Sequence, residues 1–211
     1  MSAGDHENPP PRLDFDEAEA RALEEKYDAE IRFRALTPAA GWIVGGGLFV
    51  LSVFHYYTAG FGLLREVTHR GVHMAFVLGL IFLVFAASSR TRDEVYASTV
   101  WRPGGVPLYD WLLALAAIVS VLYVPWTFED LAFRVGNPLT LDVAMGSVLI
   151  VVLLEATRRS IGWPLPVIAV IVMGYALFGR YAPGVLVHPG ASWSSLVNHL
   201  YLTSQGIYGL P

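Results

Sequence analysis

The stretch LLEATRRSIGWPLPVIAVIVMGYALFGRY, residues 153 to 181, interrupts an apolar run with a few polar residues and then resumes it. The first run ends at Glu155, Arg158 and Arg159 follow, and the apolar pattern begins again at Trp163. Arginines in the short loops between membrane spans favour the cytoplasmic side of the bilayer. The two arginines therefore predict a tight cytoplasmic turn between two transmembrane helices.

The composition also indicates a membrane protein. Of the 211 residues, 55% are hydrophobic and 15% are charged, whereas about a quarter are charged in an ordinary soluble domain. Ten of the eighteen acidic residues lie in the first thirty positions. The net negative charge of −4 therefore comes from the N-terminal tail and not from the rest of the chain. The body has no basic stripe that would bind nucleic acid. Because the chain has no cysteine, it cannot form disulfides or use thiol chemistry.

The first 36 residues predict an acidic cytoplasmic tail. Three consecutive prolines at positions 9 to 11 favour disorder in residues 1–14, and charged pairs at i,i+4 favour a juxtamembrane helix over 16–34. The tail lacks the basic and then apolar pattern of a secretory signal. We therefore expect the internal spans to direct insertion and the tail to stay in the cytoplasm.

Five runs without charge, or with one acid at the start, predict five transmembrane helices. At about 1.5 Å per residue, a helix needs roughly 20 residues to cross a hydrocarbon core of about 30 Å. The runs cover residues 38–64, 71–89, 111–128, 138–154 and 163–178. The predicted fold class is thus an all-α, polytopic membrane protein with a C-terminal amphipathic helix after the fifth span.

The arginines near the span ends predict the orientation. One side holds seven of them: Arg32, Arg34, Arg90, Arg92, Arg102, Arg158 and Arg159. The other side holds four: Arg65, Arg70, Arg134 and Arg180. This bias places the N-terminus in the cytoplasm. On the outer side, a short helix is expected to begin at 127–130 and to stop by Gly136.

The end of the sequence predicts one more helix. Apolar residues recur at helical spacing over 193–201, which is typical of an amphipathic helix. The apolar, glycine-rich run that reaches Pro211 suggests that more chain should follow.

Two acids and three histidines are the ionisable candidates within or beside the spans. Asp142 suits the positive end of the helix dipole in a first turn. Glu155 can pair with Arg158 and Arg159 at i,i+4 spacing or less, near the headgroups; proton or ion coupling by Glu155 is the alternative.

The histidines also have two interpretations. His69 and His73 lie one helical turn apart, and His55 lies in the first span. Imidazoles at this spacing can hold a metal or a haem iron. However, His69 sits at a predicted span boundary, and the sequence offers no matching pair on facing helices. A position at the membrane interface is the simpler interpretation.

Small and aromatic residues supply packing and anchoring. Gly41 and Gly45 form a small-xxx-small pair that permits close helix packing. All six tryptophans fall near predicted span ends, where an aromatic belt would place them. The sequence contains no catalytic triad, phosphate loop or paired-carboxylate site, so the chain is not expected to be an enzyme.

Three segments carry a resemblance to a known family. They are VPLYDWLLALAAIVSVLYV (106–124), FEDLAFRVGNPLTLDVAMGSVLIVVLLEATRRSIGWPLPVIAVIVMGYALFGRYAPG (128–184) and LVNHLYLTSQGIYGLP (196–211). The most specific features are the acid pair Glu129 and Asp130 leading to Arg134, then Asp142, then the EATRRSIGWPLP junction. From about residue 42 onward the chain resembles fused permeases of the tripartite ATP-independent periplasmic (TRAP) transporters, in the subgroup served by TAXI-type solute-binding proteins.

The resemblance implies a permease component in the bacterial inner membrane. Residues 37–160 resemble the four-helix small-subunit region, and 161–211 resemble the start of the large-subunit region. In this family a periplasmic binding protein delivers an organic anion, which sodium-coupled elevator motion carries inward. The family's substrate and sodium sites belong to re-entrant hairpins and broken helices of the large region, which are mostly missing from this sequence. We therefore expect no cofactor on this chain itself.

The resemblance also implies the partners: the lipid bilayer, the rest of the large permease region and a TAXI-type binding protein. Glu129, Asp130 and Arg134 are the candidate contact with the binding protein. Two other functions stay open, namely a haem or redox module built on His55, His69 and His73, and a purely structural assembly subunit.

Overall fold

The computed structural model describes residues 33–62, 64–87, 99–131, 133–203 and 205–209, all of which belong to one compact unit, Arg32–Pro211. Its α-helices are α1 (Pro38–Gly60), α2 (Glu66–Val84), α3 (Leu108–Trp126), α4 (Phe128–Leu131), α5 (Thr140–Ser160), α6 (Pro164–Phe178) and α7 (Trp193–Val197). A π-helical segment, Asn198–Leu202, continues α7. The predicted tail of residues 1–14, most of the predicted helix 16–34, and both Arg90 and Arg92 lie outside the described residues.

Within the described residues, five helices are long and apolar enough to cross a membrane, which confirms the all-α, polytopic prediction. They are α1, α2, α3, α5 and the segment Pro164–Tyr181, which contains α6. Most helix ends differ from the predicted runs by a few residues, and two helices are extended by a turn or more. Helix α2 already begins at Glu66, and α5 continues through Arg158 and Arg159 to Ser160. Charged pairs at i,i+4 and basic residues near a helix C-terminus stabilise these added turns.

The reversal predicted at Arg158 and Arg159 lies directly after them, because α5 continues to Ser160. Both lie in the last turn of α5, and the reversal follows at Ile161 and Gly162. Gly162 has a φ of 108°, a backbone conformation that glycine adopts without a Cβ clash. The arginines are thus held by a regular helix, which fixes the direction of their side chains.

Packing contacts show that consecutive long helices run antiparallel. Gly47 of α1 faces Leu80 near the end of α2, Gly71 near the start of α2 faces Pro125, and Gly79 faces Ile118. The start of α1, the end of α2, the start of α3 and the end of α5 therefore lie together. We call this the Arg34 end of the molecule, and the opposite end, where Tyr208 packs against Gly71, the Tyr208 end.

The core is formed by three of the five spans. Helices α2, α3 and α5 each bury 33% of their most apolar stretch, whereas the stretches containing α1 and α6 bury 11%. Leu149, Phe82 and Val121 are fully buried at the centre. Helix α1 exposes large side chains such as Trp42 and Phe49 along most of its length. In a bilayer, lipid or a neighbouring helix would cover these faces.

The glycine pair of α1 makes no close packing contact with the part of the chain that the structure describes. A Cβ built on Gly41 or Gly45 would meet nothing within 4 Å. Gly47 makes the close contact instead, because a Cβ there would lie 3.1 Å from Leu80 Cδ2. The close helix packing that Gly41 and Gly45 permit is therefore not used against another described helix. The helix is rotated so that Ala40 and Val44, rather than the glycine pair, face the core.

The C-terminal segment folds back onto the core at the Tyr208 end. Its helical part, predicted as amphipathic, packs Val197 and Tyr201 against Gly146 of α5. The hydroxyls of Tyr201 and Tyr208 donate to the carbonyls of Ser120 and Val121 in α3. Burial raises the pKa of both tyrosines, so the hydroxyls stay protonated and remain donors.

Pro125 explains why α3 can accept a bond from Tyr208. Proline has no backbone N–H, so the carbonyl four residues earlier loses its helical partner. For Pro125 that carbonyl belongs to Val121, the group to which Tyr208 donates. The segment therefore binds where the membrane helix has an unsatisfied acceptor.

We predict that Tyr208→Phe lowers the free energy of unfolding by about 1–2 kcal/mol, because it leaves the buried Val121 carbonyl without a partner. Chemical unfolding of the purified protein in detergent, followed by circular dichroism, measures this change. The matched control is Tyr181→Phe, since Tyr181 is 74% exposed and should tolerate the substitution. Equal stability of both variants would contradict the role assigned to the Tyr208 hydroxyl.

Candidate functional site

Asp110, in the first turn of α3, is the centre of a buried ion cluster at the Arg34 end. Its side chain is fully buried, and it accepts hydrogen bonds from two guanidinium groups. Arg159 Nη1 lies 2.6 Å from Asp110 Oδ1, and Arg34 donates to Oδ2. Both arginines are also almost completely buried. A charge at this depth requires a close partner, because burial of an unpaired ion is costly.

Glu155 extends the cluster along α5. Its Oε1 accepts from Arg159 Nε at 2.7 Å and from Arg158 Nη2 at 2.8 Å, and its Oε2 accepts from Arg158 Nε at 2.7 Å. The predicted pairing of Glu155 with both arginines is therefore present. Three arginines and two acids give the whole cluster a formal charge of +1.

The arginines also connect the cluster to other elements. The guanidinium of Arg159 lies 5.0 Å from the centre of the Phe82 ring, and that of Arg158 lies 5.3 Å from the ring of Trp163. Arg158 donates to the carbonyl of Ala87, just beyond α2. Cation–π and backbone contacts of this kind add to the ion pairs. The cluster thereby joins α2, α3, α5 and the start of α6.

Arg34 reaches the cluster because the chain before α1 is extended. Phe33 forms an isolated bridge with Phe85, and the Arg34 N–H donates to the Val84 carbonyl at 2.8 Å. The prediction that the juxtamembrane helix continues to Arg34 is therefore wrong at its last two residues. Arg34 instead contacts the end of α2 through its backbone and Asp110 through its side chain. Neither Asp110 nor its pairing with Arg34 was predicted.

A second polar network lies at the Tyr208 end. Asp142 is fully buried in the first turn of α5 and accepts from Tyr123 Oη at 2.5 Å and from the Leu139 N–H at 2.9 Å. Arg134 approaches its Oδ1 at 3.4 Å. Asp142 thus lies at the helix terminus, where the dipole stabilises a carboxylate.

The candidate contact residues lie at this same end but divide into two groups. Glu129 and Asp130 belong to the short helix α4 and are exposed, and Glu129 pairs with Arg65 at 3.0 Å. Arg134 turns inward, where its Nε also donates to the Asp130 carbonyl at 3.2 Å. An incoming protein could therefore reach the two acids directly, whereas Arg134 positions the loop.

The three histidines come together on facing helices. His55 Nε2 of α1 lies 2.8 Å from His73 Nδ1 of α2, and the His55 ring centre lies 5.2 Å from that of His69. Phe54 stacks on His69 at 5.2 Å. No facing pair was predicted, because the rotation of α1 about its axis depends on tertiary packing. The i,i+4 spacing of His69 and His73 was the available signal.

The histidine geometry differs from that of a haem site. Two axial nitrogens at about 2 Å from one metal ion would stand about 4 Å apart across it, whereas His55 and His73 form a direct hydrogen bond. Among the described residues, no group of three or more His, Cys, Asp or Glu side chains is arranged to hold a metal ion. The arrangement suits hydrogen bonding and proton exchange between imidazoles.

The comparisons with known proteins give no match. No protein-family model, no curated protein and no solved structure matches this chain.

Proposed function

We propose that this chain is the membrane scaffold of a TRAP-type secondary transporter of the TAXI subgroup. In this proposal the complete permease takes up an organic anion from a periplasmic binding protein, with sodium as the coupling ion. The chain lies in the bacterial inner membrane with its N-terminus in the cytoplasm. It has no catalytic activity and holds no cofactor, since sodium binds in the rest of the permease.

The observation that carries this proposal is that buried contacts link the same two core helices at both of their ends. Asp110 joins α3 to α5 at the Arg34 end through Arg159, and Asp142 joins the same two helices at the Tyr208 end through Tyr123. A scaffold must resist the forces of a moving domain, and buried, fully packed networks give little freedom for rearrangement. The exposed apolar faces of α1 and α6 leave room for lipid and for the rest of the large permease region.

The distribution of arginine supports the orientation. Arg34, Arg158 and Arg159 all lie at the Arg34 end, as the antiparallel order of the helices requires. Arg65, Arg70 and Arg134 lie at the Tyr208 end with Glu66, Glu129 and Asp142 as partners. In the sequence the Arg34 side has seven arginines near the span ends against four on the other side, and under the positive-inside rule the side with more arginines faces the cytoplasm.

Charge reversal at the exposed acids tests the docking of the binding protein. In the complete permease, Glu129→Lys with Asp130→Lys is expected to weaken the affinity for the binding protein several-fold and to reduce uptake, because exposed interface charges steer association. Binding to nanodiscs by surface plasmon resonance and uptake into proteoliposomes measure both effects. Arg180→Glu, a reversal elsewhere near the same membrane side, is the control and should change neither.

The two possible failures have different meanings. If the double variant binds and transports like the wild type, Glu129 and Asp130 are not the contact. If the wild-type permease shows no uptake that depends on the binding protein and a sodium gradient, the transporter assignment itself is rejected.

The second candidate is a haem or redox module, which the proximity of His55, His69 and His73 favours. The hydrogen bond between His55 and His73 opposes it, because iron would have to separate the two rings. A visible absorption spectrum of the purified protein distinguishes the candidates, since only the haem protein has a Soret band.

A further inference from the structure

The histidine cluster of His55, His69 and His73 lies where α1 has little other support. Both buried residues of α1, Ala40 and Val44, belong to its first two turns. Its second half contributes no buried residue, yet that half places His55 within hydrogen-bond distance of His73. Among the described residues, this is the one hydrogen bond that joins a side chain of α1 to a side chain of another long helix. The contact therefore holds the far half of α1 against α2.

We propose that the histidine cluster is a proton-binding latch that controls the position of the second half of α1. When both imidazoles are neutral, the N–H of one ring donates to the bare nitrogen of the other. A single added proton keeps this bond, because an imidazolium can still donate to a neutral imidazole. A second proton removes the acceptor and places two positive charges on facing nitrogens, so the latch opens.

The surrounding groups do not neutralise the added charge. The cavities around the histidines contain Glu66 and Arg70 as their other ionisable residues, both from α2. These two pair with each other, and Arg70 also donates to the Tyr208 carbonyl at 2.8 Å. The part of α5 that lines the same cavity supplies Leu153, Ala156, Thr157 and Ser160, which carry no charge. Glu66 therefore has its own cation and cannot balance the second proton on the histidine pair.

Water and protons can reach the rings from the Tyr208 end. A cavity of about 580 Å³ opens there and is lined by His55, His69, Glu66 and Arg70, together with loop residues that follow α1. The stacking of His69 on Phe54 keeps a third imidazole 5.2 Å from His55. When His69 is charged as well, it adds to the repulsion that opens the latch.

Distance measurements on the complete chain test the latch, and the absence of cysteine allows clean labelling. Tyr57→Cys with Trp126→Cys places spin labels on exposed positions of α1 and α3 near the Tyr208 end. Ile43→Cys with Leu112→Cys does the same near the Arg34 end. Double electron–electron resonance in nanodiscs is recorded between about pH 8 and pH 5, the range in which histidine changes charge.

We expect the first distance distribution to be narrow at pH 8 and longer and broader at pH 5, while the second stays unchanged. His55→Gln with His73→Gln can keep a hydrogen bond without binding protons, so its first distance should be the same at both pH values. Three results would contradict the latch proposal. The first is a wild-type distance that does not change with pH. The second is a Gln variant that responds as the wild type does, and the third is an equal change for both label pairs. The measurement does not involve transport, so the latch and the proposed function are tested separately.

Discussion

Asp110→Ala is expected to lower the free energy of unfolding by about 3–5 kcal/mol, the usual effect of removing one partner from a buried ion pair. The substitution leaves Arg34 and Arg159 buried without their shared carboxylate. Arg159 retains Glu155, but Glu155 already accepts two bonds from Arg158. Chemical unfolding in detergent measures the loss, and Glu129→Ala, which breaks an exposed pair with Arg65, should change stability little.

A triple variant separates the effect of charge from that of packing. The variant that combines Arg34→Met, Asp110→Leu and Arg159→Met leaves no buried charge without a partner. Glu155 still pairs with Arg158. Apolar replacement of a buried ion cluster is often neutral or stabilising, so most of the lost stability should return. A triple variant as unstable as Asp110→Ala would show that side-chain shape, rather than unpaired charge, causes the loss.

The parts of this structure that the sequence predicts are those that depend on near neighbours in the chain. Hydropathy over about 20 residues identifies a span wherever it lies, and all five spans were predicted in this way. The ion pairs of Glu155 were predicted because a helix brings residues three and four apart onto one face.

The parts that were missed depend on how the helices pack. Arg34 and Asp110 are 76 positions apart and meet because two antiparallel helices and an extended segment bring them together. The contact of His55 with His73 requires a particular rotation of α1, and so does the open space beside Gly41 and Gly45. Hydropathy carries little information on rotation, because a membrane helix can be apolar on all sides.

Buried acids link α3 to α5 at both ends of the core, and the Tyr208 end adds a second kind of link. At the Arg34 end, three arginines and two acids cross-link the helices through charge. At the Tyr208 end, tyrosine hydroxyls from the C-terminal segment satisfy backbone carbonyls near Pro125. Both tyrosine donors belong to the C-terminal segment, so these links exist only while that segment stays packed against the core. The second arrangement therefore makes the close packing of that segment decisive.

Gly146→Val is expected to displace the C-terminal segment and to lower the free energy of unfolding by about 1–3 kcal/mol, the usual cost of overpacking a core. Even a Cβ at this position would lie 2.9 Å from Tyr201 Cδ1 and would collide with Val197. Both neighbours are fully buried and cannot move aside without losing their own packing.

Labelling of one introduced cysteine reports the displacement directly. Leu196 is buried, so a cysteine introduced by Leu196→Cys should react slowly with a maleimide. When Gly146→Val is added, the reaction should become several-fold faster. Gly174→Val in α6 is the matched control, since a Cβ at Gly174 would meet nothing within 4 Å. If both valine variants label at the wild-type rate, the segment tolerates a larger residue at Gly146 and is not held by close packing. If both accelerate equally, the effect comes from valine in a membrane helix and not from contact with Val197 and Tyr201.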